Sequence, residues 1–342
     1  MFYHIETEER TAGGRSGTVY TIKHTGGQAE AEIWPAHGFN CLRWKVKTDT
    51  GYHDLLYAAP DWDTNPVPSR SGIPVLYPFP NRIRDGRYNF GWKSYQLPLN
   101  DSTKKNSIHG YAPRYPWRVF GYSVEDRSAW VHGDFQMSVD APETAGYWPA
   151  DSIFSMVYRL SETALRLEMS VRNVSESPLP FGIGFHPYLR FPCADQTVDR
   201  FKLLAPARSL WHCVDNLPTE ERVPVSDDLN WNSPRRIGSM PLDTLYTDLG
   251  SIQERADGLL LRAELGHTEY RGALQVWTSG DFRESVLFTP AHRQAVCIEP
   301  YTCATDAINL AERNVDAGLK VLQPDEKWTG VVEFRWNPER DV

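Results

Sequence analysis

The stretch FGIGFHPYLRF, residues 181–191, closes a long alternating pattern and carries one histidine between an aromatic residue and a proline. Pro187 pushes the backbone of His186 out of the helical region and into extended or polyproline space. The imidazole is therefore expected on a stiff backbone, surrounded by aromatic side chains. A lone histidine of this kind is more often structural than catalytic, so the stretch needs a second feature before it indicates chemistry.

A second stretch is built in the same way. QAVCIEPYT, residues 294–302, ends an apolar run with Glu299 directly before Pro300. A charge that ends an apolar strand is costly to bury without a partner. A carboxylate and an imidazole, each held just before a proline, are the two groups that an acid/base pair requires.

The alternation continues through most of the chain and decides the fold class. Residues 154–160 and 165–171 alternate apolar with polar side chains, and a Gly26-Gly27 turn precedes another alternating run. We find no 3.6-residue period that lasts longer than a few turns, and residues 197–232 are expected to be irregular. Many strands and few short helices predict an all-β protein, a large antiparallel β-sandwich.

Composition limits the number of domains and the classes of partner. The chain has 342 residues, a net charge of −8 and a pI near 5.7. No linker or low-complexity tract divides it, so a single domain over residues 1–342 is expected. The scattered Lys and Arg argue against a nucleic-acid or anionic-membrane partner.

Apolar runs, cysteines and sequence motifs bear on the location of the protein and on its cofactors. No apolar run approaches the roughly 18 residues that cross a bilayer, and the amino terminus lacks a signal-peptide pattern. The five cysteines form an odd set without metal-ligand spacing, which favours reduced thiols in a cytoplasmic protein. The sequence has no zinc motif, and in GIGFHP a proline replaces the third glycine of a dinucleotide fingerprint. We therefore expect no metal and no cofactor.

Three further polar segments accompany the two stretches: NRI at 81–83, HG at 109–110 and PLDTL at 241–245. Asp85-Gly86 predicts a tight hairpin turn, with Asn81 and Arg82 at the start of the hairpin. Taken alone, each segment has a structural explanation, such as a turn cap, a turn histidine or a surface ion pair.

Together, in this order, the five segments resemble those of the aldose 1-epimerase family, the galactose mutarotase-like proteins. The resemblance covers residues 72–342, with a weaker similarity at AEIWPAHGFNCLRW before it. It implies the galactose mutarotase-like supersandwich and an enzyme that interconverts the α and β anomers of a free hexose, with a sugar as its small-molecule partner.

The resemblance also implies a role for each residue. Glu299 matches the catalytic base that takes the proton from the anomeric hydroxyl, and His186 matches the acid that protonates the ring oxygen. His109 matches a second histidine of the pocket. Asn81, Arg82 and Asp243 match residues that hold sugar hydroxyls.

Several alternatives stay open at this point. Asp248 could take the place of Asp243 in the pocket. The segment RSGIP, residues 70–74, is similar to one in the hexose-6-phosphate mutarotases, whereas NRI and FHPY resemble the free-sugar branch. A non-catalytic carbohydrate-binding protein on the same fold is the remaining alternative.

Overall fold

The computed structural model describes residues 2–64, 70–193 and 197–342, and strands dominate it. In chain order, the strands of the first half are β1 Tyr3–Ala12, β2 Arg15–His24, β3 Ala29–Trp34, β4 Asn40–Thr48, β5 Gly51–Asp54, β6 Val75–Leu76, β7 Arg82–Ile83, β8 Arg87–Phe90, β9 Lys93–Gln96, β10 Ser107–Ile108, β11 Arg118–Val124, β12 Ala129–Gln136, β13 Ser152–Leu160 and β14 Ala164–Asn173.

Shorter strands are frequent in the second half. They are β15 Leu179–Phe181, β16 Gly184–Phe185, β17 Tyr188–Leu189, β18 Phe201–Leu204, β19 Ala207–Val214, β20 Leu217–Pro224, β21 Arg235–Arg236, β22 Asp243–Leu249, β23 Gln253–Glu254, β24 Leu260–His267, β25 Ala273–Thr278, β26 Glu284–Phe288, β27 Val296–Tyr301, β28 Lys320–Leu322 and β29 Lys327–Asn337.

Helices are few and short, as the sequence predicts. The α-helices are α1 Met137–Asp140 and α2 Ala307–Glu312, and single 3-10 turns span Pro35–His37, Arg84–Gly86, Ala112–Arg114, Pro142–Tyr147, Val198–Arg200 and Asp227–Leu229. Within the described ranges, none of the helices has the length and apolar character needed to cross a bilayer.

Two large antiparallel sheets form the main body. The ten-stranded sheet follows the order β11-β12-β13-β14-β29-β25-β24-β18-β21, with β23 added beside β24. The eight-stranded sheet follows β20-β19-β22-β26-β27-β16-β6, with β17 also pairing with β27. A five-stranded sheet holds β1 to β5 in sequence order. The predicted all-β class is confirmed.

One hydrophobic core lies between the two large sheets. Val332 and Phe334 of β29 and Leu287 and Ile298 of the smaller sheet all belong to it, and each is at most 2% exposed. Because side chains alternate across a strand, the neighbours of Ile298 on β27 must point away from this core. That opposite face of the eight-stranded sheet carries the candidate site.

Two sequence-based expectations are wrong. Asp85-Gly86 has the positive φ angles of a tight turn, but β7 pairs with β10 and β8 pairs with β9, so no hairpin joins them. The turn is held by side chains instead, since Asp306 accepts from the Arg84 amide and Asn106 from the Asp85 amide. Residues 197–232, expected to be irregular, contain β18, β19 and β20; β19 and β20 are mostly exposed or half-buried, which weakens their apolar pattern.

Candidate active site

Glu299 occupies the middle of β27, on the face that turns away from the core. Cys297, Glu299 and Tyr301 share this face, whereas Ile298 between them packs into the core. Glu299 is 2% exposed, because β26 lies on one side of it and the β16 and β17 segments lie on the other. A carboxylate in this position is buried by the sheet itself and needs polar neighbours.

His186 faces Glu299 because of the strand register. Gly184 of β16 pairs with Tyr301, and Tyr188 of β17 pairs with Cys297, so His186 lies opposite Glu299, midway between the two pairs. Pro187 has no amide hydrogen and interrupts the ladder at that point. The break leaves the imidazole Nε2 3.4 Å from Oε1 of Glu299.

Aromatic rings hold the His186 side chain in place. Its ring stacks on Tyr188 at 4.8 Å between centroids with a 7° interplanar angle, and it meets Phe288 edge-on at 5.8 Å. The backbone amide of His186 donates to the Pro74 carbonyl. The expectation of a histidine on a stiff backbone among aromatic rings describes this arrangement well, and the stacking partner is the tyrosine of FHPY itself.

His109 and Asn81 lie beside the pair and brace each other. The His109 amide donates to the Asn81 carbonyl at 2.8 Å, and the Asn81 amide donates to Nδ1 of His109 at 3.3 Å. Since Nδ1 accepts this bond, the neutral ring carries its hydrogen on Nε2. The His109 ring meets the His186 ring edge-on at 5.7 Å, which places the remaining N–H of His109 close to His186.

Arg82 follows Asn81 and brings a positive charge to the site. Its Nη1 donates to Oδ1 of Asn81 at 3.0 Å, and its Nε lies 3.7 Å from Oδ2 of the buried Asp101. Burial raises the pKa of both Glu299 and Asp243, and the charge of Arg82 opposes that rise in each of them.

Of the two candidate aspartates, Asp243 is the one whose charge acts on Glu299. Asp243 begins β22 opposite Phe288, the residue that also contacts His186. It is exposed by area, yet burial by the surrounding protein raises its pKa. Asp248 lies near the other end of β22 with a left-handed backbone at φ 51°. The structure thus brings Asp243 to the site together with the five other predicted residues.

Burial opposes charge on every ionisable group at the centre of the site. It lowers the pKa of His186 to about 4 and raises the pKa of Glu299 well above its usual value. The pKa of His109 is lowered well below its usual value by burial and by neighbouring positive charge. The Tyr301 hydroxyl and the Arg82 charge act in the other direction on Glu299 and favour its ionised form.

Tyr301 and Cys297 are neighbours of Glu299 that the sequence analysis did not single out. The Tyr301 hydroxyl donates to Oε2 of Glu299 at 2.5 Å. Both residues are two positions from Glu299 in QAVCIEPYT, so strand alternation could have placed them on the same face.

In the part of the chain that the structure describes, one group of three potential metal ligands lies close together. Donor atoms of His186, Cys297 and Glu299 lie within 4.8 Å of one another, and all three residues are buried. An imidazole, a thiol and a carboxylate are the donors that zinc uses. Burial, however, raises the pKa of the Cys297 thiol well above its usual value and disfavours the thiolate that binds a metal, so we do not identify this cluster as a metal site.

A family model and solved structures match nearly the whole chain. The family model described as aldose 1-epimerase matches residues 18–335. YihR, an uncharacterized protein of Escherichia coli, is 26% identical over 237 residues, which are 69% of this chain and 71% of YihR.

Two solved structures show the same fold. A galactose mutarotase-like protein from Clostridium acetobutylicum is 25% identical with a TM-score of 0.83, over 98% of this chain and 99% of that chain. Galactose 1-epimerase from Lactobacillus acidophilus is 17% identical with a TM-score of 0.76, over 99% of both chains. The predicted galactose mutarotase-like sandwich is confirmed.

Proposed function

Because the chain belongs to the aldose 1-epimerase family, we propose that it interconverts the α and β anomers of a free hexose by acid/base ring opening. The observation that carries the proposal is the pairing of His186 Nε2 with Glu299 Oε1 at 3.4 Å. Opening a hemiacetal requires one group that removes a proton and one that delivers a proton. A buried imidazole facing a buried carboxylate supplies both, and binding alone would not require such a pair.

The reaction needs one proton shared between the two groups. Glu299 takes the proton of the anomeric hydroxyl while His186 gives its proton to the ring oxygen, and the bond between C1 and that oxygen breaks. The open-chain aldehyde rotates about C1–C2, and the reverse transfers close the ring as the other anomer. The proton count of the pair is unchanged throughout, and each transfer contributes roughly 10²–10⁴-fold.

The pKa shifts of His186 and Glu299 bear on these steps. Burial favours neutral His186 and protonated Glu299, which is the form that the pair adopts after ring opening. The charged form that starts the reaction therefore depends on the groups that favour an ionised Glu299. Arg82 and Tyr301 act in this way, and each charge of the pair favours the other.

The remaining residues have the chemistry to hold a sugar. Nε2–H of His109 is a donor for the ring oxygen or a neighbouring hydroxyl. Asn81, Arg82 and Asp243 add an amide, a guanidinium and a carboxylate beside it. Several fixed hydrogen-bonding groups close together suit a pyranose, which is polar on every edge.

A free sugar is favoured over its 6-phosphate by the environments of the nearby arginines. Arg84 lies 3.7 Å from the Asp306 carboxylate and donates to the Pro218 carbonyl, and Arg87 donates to Gln96. Burial raises the pKa of Tyr188 and the charge of the exposed Arg70 partly opposes that rise, so Arg70 is the remaining cation to consider for a phosphate. A phosphate site uses several converging donors, so one arginine is poor support for a phosphorylated substrate.

Exchange of anomers measured by NMR over a panel of sugars tests the proposal. We expect exchange with glucose or galactose, and a lower kcat/KM for glucose 6-phosphate. A strong preference for the phosphate that disappears in Arg70→Ala, but not in the control Arg87→Ala, would assign the protein to the hexose-6-phosphate branch. Sugar binding without any exchange would indicate a carbohydrate-binding protein instead.

We also propose a cytoplasmic location and a small-molecule sugar as the partner. The odd cysteine count favours the cytoplasm, and the acidic net charge of −8 favours a small-molecule sugar over nucleic acid or a membrane surface.

A further inference from the structure

The two carboxylate oxygens of Glu299 have different neighbours. Oε2 accepts a hydrogen bond from the Tyr301 hydroxyl at 2.5 Å, whereas Oε1 faces Nε2 of His186 at 3.4 Å. Among the described residues, the hydrogen bond donated to Glu299 goes to Oε2, so Oε1 keeps its lone pairs for a substrate hydroxyl. Tyr301 itself is fully buried, so its hydroxyl has no access to solvent that could replace this bond.

A glycine on the neighbouring strand provides the space for the Tyr301 ring. Gly184 is paired directly with Tyr301, and a Cβ at position 184 would lie 2.4 Å from Cδ1 of that ring. A Cβ there would also lie 2.7 Å from Cβ of Pro80. The second glycine of GIGFHP is therefore needed for packing, and it seats the ring so that the hydroxyl points back along β27 to Glu299.

We propose that Tyr301 is the positioning residue of Glu299. It binds Oε2, fixes the plane of the carboxylate and so makes Oε1 the oxygen that receives the anomeric proton. This role rests on the proposed function of Glu299 as the base. A hydrogen bond donated to a carboxylate also favours the ionised form that a base requires, against the cost of burial.

A purely structural role would predict a different result. In that case the hydrogen bond would favour neither protonation state of Glu299, and its loss would lower stability without changing how Glu299 titrates. A positioning role predicts that Glu299 becomes harder to ionise when the hydroxyl is removed. The two explanations are therefore separated by pH dependence and not by the size of the activity loss.

The test uses Tyr301→Phe, which removes one oxygen and keeps the ring. We expect the acid limb of kcat/KM to move up by roughly one to two pH units, so that the loss of activity is larger on the acid side of the optimum than on its alkaline side. KM should change less than kcat. Tyr158→Phe is the matched control, since Tyr158 is equally buried but belongs to β13 in the other large sheet.

A second measurement does not depend on activity. The carboxyl carbon of Glu299, observed by NMR in sugar-free protein with 13C-labelled glutamate and assigned through Glu299→Gln, should titrate at higher pH in Tyr301→Phe. Gly184→Ala, which keeps the hydroxyl but displaces the ring, should shift the titration in the same direction. Unchanged titration of Glu299 in Tyr301→Phe, or an equal loss of activity at every pH, would overturn the positioning role. If the wild-type protein shows no anomer exchange, the proposed function fails, and the NMR titration alone then decides whether Tyr301 controls Glu299.

Discussion

Glu284 and Glu299 are buried carboxylates on adjacent strands, and their surroundings differ in one respect. Glu284 is 0% exposed and receives hydrogen bonds from Trp211 at 3.0 Å and from Thr247 at 3.1 Å. The Nε of Arg283 forms an ion pair with Oε1 of Glu284 at 3.5 Å. Glu299 is 2% exposed and receives one hydrogen bond, from Tyr301, in the part of the protein described.

The difference teaches how to distinguish a structural carboxylate from one available for chemistry. Protein donors occupy both oxygens of Glu284, so a substrate has nothing to bind there. One oxygen of Glu299 faces an imidazole across a gap, and burial raises its pKa far above the usual range. Burial alone would not distinguish Glu284 from Glu299. The number of protein groups that donate hydrogen bonds to each carboxylate does distinguish them.

The largest effect is expected from Glu299→Gln. The change is nearly isosteric and removes only basicity, so kcat should fall by roughly 10²–10⁴-fold while sugar affinity changes little. Steady-state kinetics with direct sugar titration measures both quantities.

Glu284→Gln is the matched control for that experiment, because it neutralises an equally buried carboxylate on the next strand. Its anomer exchange should stay close to wild type. Wild-type kcat in Glu299→Gln, or an equal loss in both variants, would show that the comparison does not identify a base.

The next largest effect is expected from His186→Asn. The wild-type kcat/KM should be bell-shaped, with limbs that belong to the pair and not to either residue. Without the imidazole, most activity should be lost and the alkaline limb should disappear, since only the ionisation of Glu299 then remains. A profile of unchanged shape in this variant would transfer the acid role to His109.

The pH dependence of protein stability provides a third test, and it concerns Glu284. Burial raises the pKa of Glu284 from 4.5 to about 7, so the folded state holds its proton more tightly than the unfolded state. The contribution of Glu284 to the free energy of unfolding is therefore present below pH 4.5 and lost as pH rises to about 7.

The loss amounts to roughly 3 kcal/mol across that range. Relative to Glu284→Gln, wild-type protein should become less stable by about this amount between the two pH values, as measured by urea unfolding at each pH. A stability difference between the two proteins that is independent of pH would contradict the raised pKa.

The smallest effect is expected at the mouth of the site. Asp243→Asn should raise KM by about tenfold through a weakened hydrogen bond to a sugar hydroxyl. It should also move the acid limb to lower pH, because the charge of Asp243 raises the pKa of Glu299. Asp248→Asn, on the same strand, is the control. A KM effect in Asp248→Asn alone would reverse the assignment of the two aspartates.

The all-β class and the identity of the central pair were accessible from local sequence. Alternation along residues 154–160 and 165–171 corresponds to β13 and β14, which pair in register, because side-chain period is a property of a single strand. Glu299 and His186 were found because a charge at the end of an apolar run and a histidine before proline are local signals. Their order with the other motifs identified the family, and the match over residues 18–335 confirms it.

Pairing between distant segments could be decided only by the tertiary structure. Asp85-Gly86 has a hairpin sequence, yet β7 takes its partner from residues 107–108, because carboxylate and amide side chains hold the turn. Likewise, no local pattern predicts that His186 lies opposite Glu299, that Gly184 makes room for Tyr301, or that the charge of Asp243 raises the pKa of Glu299. Register and the burial that sets each pKa depend on contacts across more than a hundred residues, so only the folded chain determines them.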